Sequence, residues 1–179
     1  MTYGFGEQLR IGEAYENDLD EFFRRWYEVM PVSMELQKLG VDRIFIDQTG
    51  RRLSIEYKAD ETAARTHNAF VETVSVDTEG KPGWALSSIA QLLIYFIPPI
   101  RKIYVCRMLD LKMDIEELIA KFPTKQIPNN GYHTTGVPVP LWLIEERYAI
   151  RVLMMSRRAA IRERTGALPP PAAVRVGAE

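Results

Sequence analysis

Apolar residues recur at three- and four-residue steps near the start of the chain. Leu9, Gly12, Tyr15, Leu19, Phe22, Phe23, Trp26 and Met30 form one stripe. That spacing predicts an amphipathic helix over 7–30, ended by Pro31, whose ring cannot continue a helix. Strand-like runs follow at about 32–36, 41–47 and 52–59. Gln48-Thr49-Gly50 between the last two reads as a tight hairpin loop, with Gly50 free to take positive φ. A polar loop over 60–68 leads to a fourth strand at 69–76, then a turn-rich stretch with Gly80, Pro82 and Gly83. The pattern predicts a helix over 84–96, a buried strand over 102–107 and a helix over 110–121. Residues 123–140 read as loop with one short strand near 136–139, and 141–164 as a last helix. These elements predict one α/β domain over 1–166 and a disordered Pro/Ala-rich tail over 167–179.

Composition fits that picture: 179 residues, 46% apolar and 26% charged, are those of a globular domain with a sizeable core. Cys106 is the only cysteine, which excludes an intramolecular disulfide and a cysteine-built zinc site. The most apolar stretch, about 86–100, is too short to span a bilayer and is closed by Pro98-Pro99. Glu7, Glu13 and Glu16 are unlike a signal peptide, so a cytoplasmic location without membrane contact is the expectation. The formal net charge of -1 does not announce a nucleic-acid binder. Charge is uneven, however: residues 1–30 hold seven acids against three Arg, and residues 145–164 hold six Arg against three Glu. The Arg-rich segment reads as a solvated helix face that permits contact with phosphates.

Candidate chemistry lies in the hairpin. Side chains alternate along a strand, so Ser54, Glu56 and Lys58 share one face and Leu53, Ile55 and Tyr57 the other. A loop of three residues, 48–50, sets Asp47 opposite Arg51 and, by counting back, Asp42 opposite Glu56. A two-residue loop would turn Asp42 to the wrong face. In the three-residue register Asp42, Glu56 and Lys58 converge. Two carboxylates so close repel unless a cation lies between them, and Mg²⁺ takes such hard oxygen ligands. Lys58 is placed to orient an attacking water or to neutralise a phosphate, which suits phosphodiester hydrolysis. Glu16 falls on the apolar stripe, where a carboxylate needs a partner. Glu13 falls with Asn17, Asp20 and Arg24 on the polar side. Glu72 reads as a strand-surface acid ahead of one facing the site from the next strand, and Trp84 and Tyr95 as core aromatics ahead of base-stacking platforms.

Gly12-Glu13-Ala14-Tyr15-Glu16 on a first helix, then Gly40-Val41-Asp42, then Ile55-Glu56-Tyr57-Lys58, resembles the PD-(D/E)XK nuclease superfamily. The helix motif looks most like the resolvase type. The resemblance covers residues 10–76 and extends to 107 if 84–96 is the second core helix. It implies a restriction-endonuclease-like fold, a central mixed sheet flanked by helices with an αβββαβ core. It further implies an Mg²⁺-dependent deoxyribonuclease, with Mn²⁺ able to substitute. Asp42, Glu56 and the Tyr57 carbonyl would bind metal, Lys58 would position the nucleophile, and Glu16 would bind or orient a metal. Gln91 matches the polar residue that the second core helix often contributes. Apart from the resemblance, Thr66, His67 and Asn68 in the loop after the third strand read either as an ordinary polar loop or as candidates to touch DNA. Val41 stands where the name motif has Pro. Cutting both strands of a duplex would suit a homodimer.

Overall fold

A computed structural model describes residues 5–156, with side chains from Arg10 onward. The chain forms α1 (Phe5–Phe23), β1 (Glu28–Pro31), α2 (Met34–Lys38), β2 (Arg43–Ile46) and β3 (Arg52–Ala59). It continues through α3 (Ala63–Thr66), β4 (Asn68–Val76), β5 (Lys81–Pro82), α4 (Trp84–Ser87), β6 (Leu92–Ile97) and β7 (Lys102–Arg107). Then come α5 (Met108–Met113), α6 (Ile115–Lys121), β8 (Lys125–Pro128), β9 (His133–Pro140), α7 (Leu141–Leu143) and β10 (Ala149–Met154). The expected tail and residues 157–164 of the expected last helix lie outside the described residues.

Six strands form one mixed sheet in the order β1-β2-β3-β6-β7-β10. Only β3 and β6 run parallel; the other neighbours are antiparallel. A parallel pair needs a crossover, and here it is made by α3, β4, β5 and α4. β4 and β5 belong to a second, antiparallel sheet, β5-β4-β9-β8, which the sequence pattern did not predict. One face of the large sheet packs Ile55, Tyr57, Ile94, Phe96, Ile103 and Val105 against Leu19, Phe22 and Phe23 of α1. The opposite face packs Leu93, Tyr95, Ile97, Tyr104 and Cys106 against the second sheet and helices α5 and α6. The fold is therefore mixed α/β, a mixed sheet flanked by helices. Among the described residues no helix is long and apolar enough to cross a membrane.

Several expected elements are corrected. The first helix stops at Phe23 rather than Met30, because Val29 is drawn into strand pairing opposite Phe45. The strand expected at 32–36 is replaced by α2, which begins after Ser33, a residue suited to the N-cap position, with Glu35 in its first turn. The helix expected over 84–96 is only the four residues of α4. Leu92–Ile97 is instead an uninterrupted apolar run between two strands, which suits a strand buried on both faces. The 110–121 helix starts earlier and breaks at Asp114 into α5 and α6. The short strand near 136–139 is the full β9. The last helix ends after one turn and a π-helical turn, Ile144–Tyr148, and the chain then pairs with β7 as β10.

Candidate active site

The β2–β3 hairpin has the register expected from a three-residue loop. Ile46 faces Arg52, Phe45 faces Leu53 and Arg43 faces Ile55. The turn is held by Asp47, whose Oδ1 accepts from the Thr49 hydroxyl at 2.6 Å, the Thr49 N–H at 2.8 Å and the Arg51 N–H at 3.1 Å. Those donors hold the Asp47 carboxyl below its usual range, the Thr49 hydroxyl most of all. Gly50 sits at φ +83° as the turn requires.

The ladder ends one residue short of Asp42. Its N–H donates to the Ile55 carbonyl at 2.7 Å, one step out of register. The Asp42 carboxylate turns inward, and Oδ2 accepts from the Tyr57 N–H at 2.7 Å. Backbone N–H and C=O of one strand residue point the same way, so the Tyr57 carbonyl also faces the Asp42 side.

Glu56 is 2% exposed. Its Oε1 meets the Lys58 ammonium at 2.7 Å, while Oε2 is buried without a hydrogen-bond partner. Burial, and then the Asp42 charge, push its carboxyl up to about 7, against the pull of Lys58. Burial works against the Lys58 charge as well, but Glu56, Asp42 and Glu72 together outweigh it and the ammonium titrates above its ordinary value. About a third of the Lys58 side chain, 35%, still reaches solvent. Of the two readings for Glu72 the less favoured one holds: it reaches the Lys58 side of the patch from the next strand instead of lying on the strand surface. It is partly buried, burial raises its carboxyl, and Lys58 is the strongest influence lowering it again.

Ser88, which nothing in the sequence marked, closes this patch. It is 1% exposed, and its hydroxyl lies close enough to Glu56 to draw that carboxyl down, but its single proton goes to the Gly40 carbonyl at 2.6 Å and leaves Oε2 without a donor. Gly40 has φ +76°, and a Cβ there would lie 2.6 Å from that of Ser88, so only glycine admits the contact. Lys112 donates to the carbonyls of Leu86, at 3.0 Å, and of Ser88.

On the α1 side of the sheet a second polar group meets the first at Asp42. Arg43 bonds Glu16 Oε2 at 3.1 Å and both carboxylate oxygens of Asp20 at 2.9 and 3.0 Å. Tyr57 donates its phenol to Asp20 at 3.0 Å. Asp20, expected on the polar side of the helix, is 6% exposed because these two partners reach it from the sheet. Glu16 lies on the packed side as expected. Burial and then Asp42 raise its carboxyl, and its ion pair is with Arg43.

The remaining candidates stand apart. Gln91 precedes β6 rather than lying on a helix, and its Oε1 accepts from the Ser54 N–H at 3.0 Å, tying β6 to β3. His67 is an exposed αL residue closing α3. The Asn68 amide is spent on the Thr66 carbonyl at 2.8 Å. Among the described residues no three His, Cys, Asp or Glu side chains converge as a ready metal cage. Two carboxylates, one backbone carbonyl and water would still suit Mg²⁺, which keeps several waters of its own. The orphaned Glu56 oxygen fits such an ion. No protein-family model matches the chain, and no curated protein or solved structure does either.

Proposed function

We propose that this chain is a metal-dependent nuclease that hydrolyses DNA phosphodiester bonds, built on a restriction-endonuclease-like core. The observation that carries it is the buried, unpartnered Glu56 oxygen, beside Asp42 and on the same strand face as Lys58. The strand order supports it too: one helix, three antiparallel strands, then a strand returning parallel to the third. The crossover differs from the single helix that the resemblance implies, being a small sheet with short helices. Asp42, Glu56 and the Tyr57 carbonyl would hold Mg²⁺ or Mn²⁺, which would polarise a phosphate and lower the pKa of a water. Lys58, charged and partly open to solvent, orients the attacking water and neutralises phosphate charge. Glu16, paired with Arg43, acts from outside the ligand set.

A second reading, a silent nuclease-like fold that binds DNA, is favoured by the closed 2.7 Å pair between Lys58 and Glu56. Cleavage of labelled linear, single-stranded and branched DNAs with Mg²⁺ or Mn²⁺, beside Lys58→Ala, separates the two. Metal-dependent cutting abolished by the substitution supports the nuclease. No cutting of any substrate, with no metal binding by calorimetry, sinks it.

A further inference from the structure

We propose that Arg43, anchored by Asp20, is the positioning residue that fixes Asp42 and Tyr57 for metal binding, an inference that rests on the proposed function. Arg43 follows Asp42 in sequence, and its guanidinium folds back to donate to the Asp42 carbonyl at 2.8 Å. That bond pins the peptide joining the two residues where the β2–β3 ladder has already lost its register. The same guanidinium reaches both oxygens of Asp20, at 2.9 and 3.0 Å, and Glu16 at 3.1 Å. Asp20 in turn accepts the Tyr57 phenol at 3.0 Å, and the Tyr57 N–H donates to the Asp42 carboxylate at 2.7 Å.

These bonds close a ring from Asp42 through Arg43, Asp20 and Tyr57 back to Asp42. Neither the Asp42 carboxylate nor the Tyr57 backbone can turn without breaking one of them. The Arg43 side chain is 13% exposed and that of Asp20 is 8% exposed, so water does not readily replace a broken bond. A planar guanidinium serves several acceptors in fixed directions, which a lysine ammonium cannot. The charge that Arg43 supplies is spent on Asp20 and Glu16, leaving the Asp42 carboxylate available to a cation.

The test is Mn²⁺ binding by calorimetry on the full chain, comparing wild type, Asp42→Asn, Arg43→Lys and Tyr57→Phe. Each variant's fold is checked by circular dichroism and its melting temperature measured with and without Mn²⁺. Loss of supporting bonds behind a metal ligand lowers affinity roughly 10–100-fold, the effect expected for Arg43→Lys. Tyr57→Phe keeps every Arg43 bond but frees the phenol link, and weakens binding by a smaller factor. It carries the test if Arg43→Lys does not fold. A purely structural role lowers the metal-free melting temperature and leaves the Mn²⁺-induced rise intact. Folded variants that bind Mn²⁺ within about twofold of wild type, while Asp42→Asn loses it, overturn the positioning role alone. A wild type that binds no Mn²⁺ overturns the proposed function and this assignment with it.

Discussion

The Tyr57 backbone N–H donates to Oδ2 of Asp42 at 2.7 Å, so a side chain stands in for the strand that has run out beside it. Asn at position 42 keeps an acceptor there, whereas Ala removes it and leaves a part-buried N–H unsatisfied. Asp42→Ala should lose about 1–3 kcal/mol in urea unfolding, and Asp42→Asn clearly less. Both should lose metal binding. An Asp42→Ala variant as stable as wild type would mean that the carboxylate does not support β3.

Two glycines with the same backbone strain should respond differently to a methyl group. Gly50 has φ +83° with open space around it, while Gly40 has φ +76° and meets Ser88 at 2.6 Å. Ala at either position carries about 1–2 kcal/mol of left-handed strain. Gly40→Ala adds a clash with a buried side chain, costing about 1–3 kcal/mol more. It also displaces the turn that leads into Asp42, so its Mn²⁺ affinity should fall while that of Gly50→Ala holds. Equal losses of stability in the two variants would contradict the close approach of Ser88.

Local chemistry explains which parts of the fold were legible. Asp47 and Gly50 set the hairpin turn within five residues, and strict alternation fixed the faces of β3, so the pairing up to Arg43 and the shared face of Glu56 and Lys58 could be read by counting. Asp42, counted opposite Glu56, lies past the end of the ladder and is instead held by the Tyr57 N–H. Leu92–Ile97 has no alternation because both of its faces are buried, and a continuous apolar run looks the same in a helix. Asp20 sits on a polar arc of α1 by angle alone. Its burial depends on Arg43 and Tyr57, 23 and 37 residues away. Ser88 gives no sequence signal, since its role depends on Gly40 approaching from 48 residues away.

His67 and Arg101 both hold left-handed backbone, at φ 56° and 53°. Glycine relieves that strain but makes the unfolded chain freer, for a net gain of about 0.5 kcal/mol. The His67 ring makes no hydrogen bond among the described residues, so His67→Gly should raise the melting temperature slightly. Arg101 instead donates to the carbonyls of Met155 at 2.8 Å and Ser156 at 3.2 Å, holding the end of β10. Arg101→Gly should therefore lower the melting temperature. If His67 touches DNA, His67→Gly will slow cleavage despite its added stability.

Glu56 should make the metal-free protein less stable as pH rises. Its carboxyl titrates at 4.5 when unfolded and at about 7 when folded, with burial the main cause. Between those values the folded state keeps a proton that the unfolded state has released. The stability linked to that proton is present in full below about pH 4.5 and is lost as pH rises through about 7. The difference corresponds to about 3 kcal/mol. Glu16 and Glu72, also raised by burial, add changes of the same sign, so a substitution is needed to isolate Glu56. Glu56→Gln removes the titrating group, and Lys58 keeps the charges of Asp42 and Glu72 near it. Urea unfolding in chelator from about pH 5 to about pH 8 should show wild type losing stability more steeply than Glu56→Gln. Parallel curves would mean that the carboxyl ionises near its ordinary value. Added Mg²⁺ favours the ionised carboxylate, so its stabilising effect on wild type should grow over the same rise in pH and vanish in Glu56→Gln.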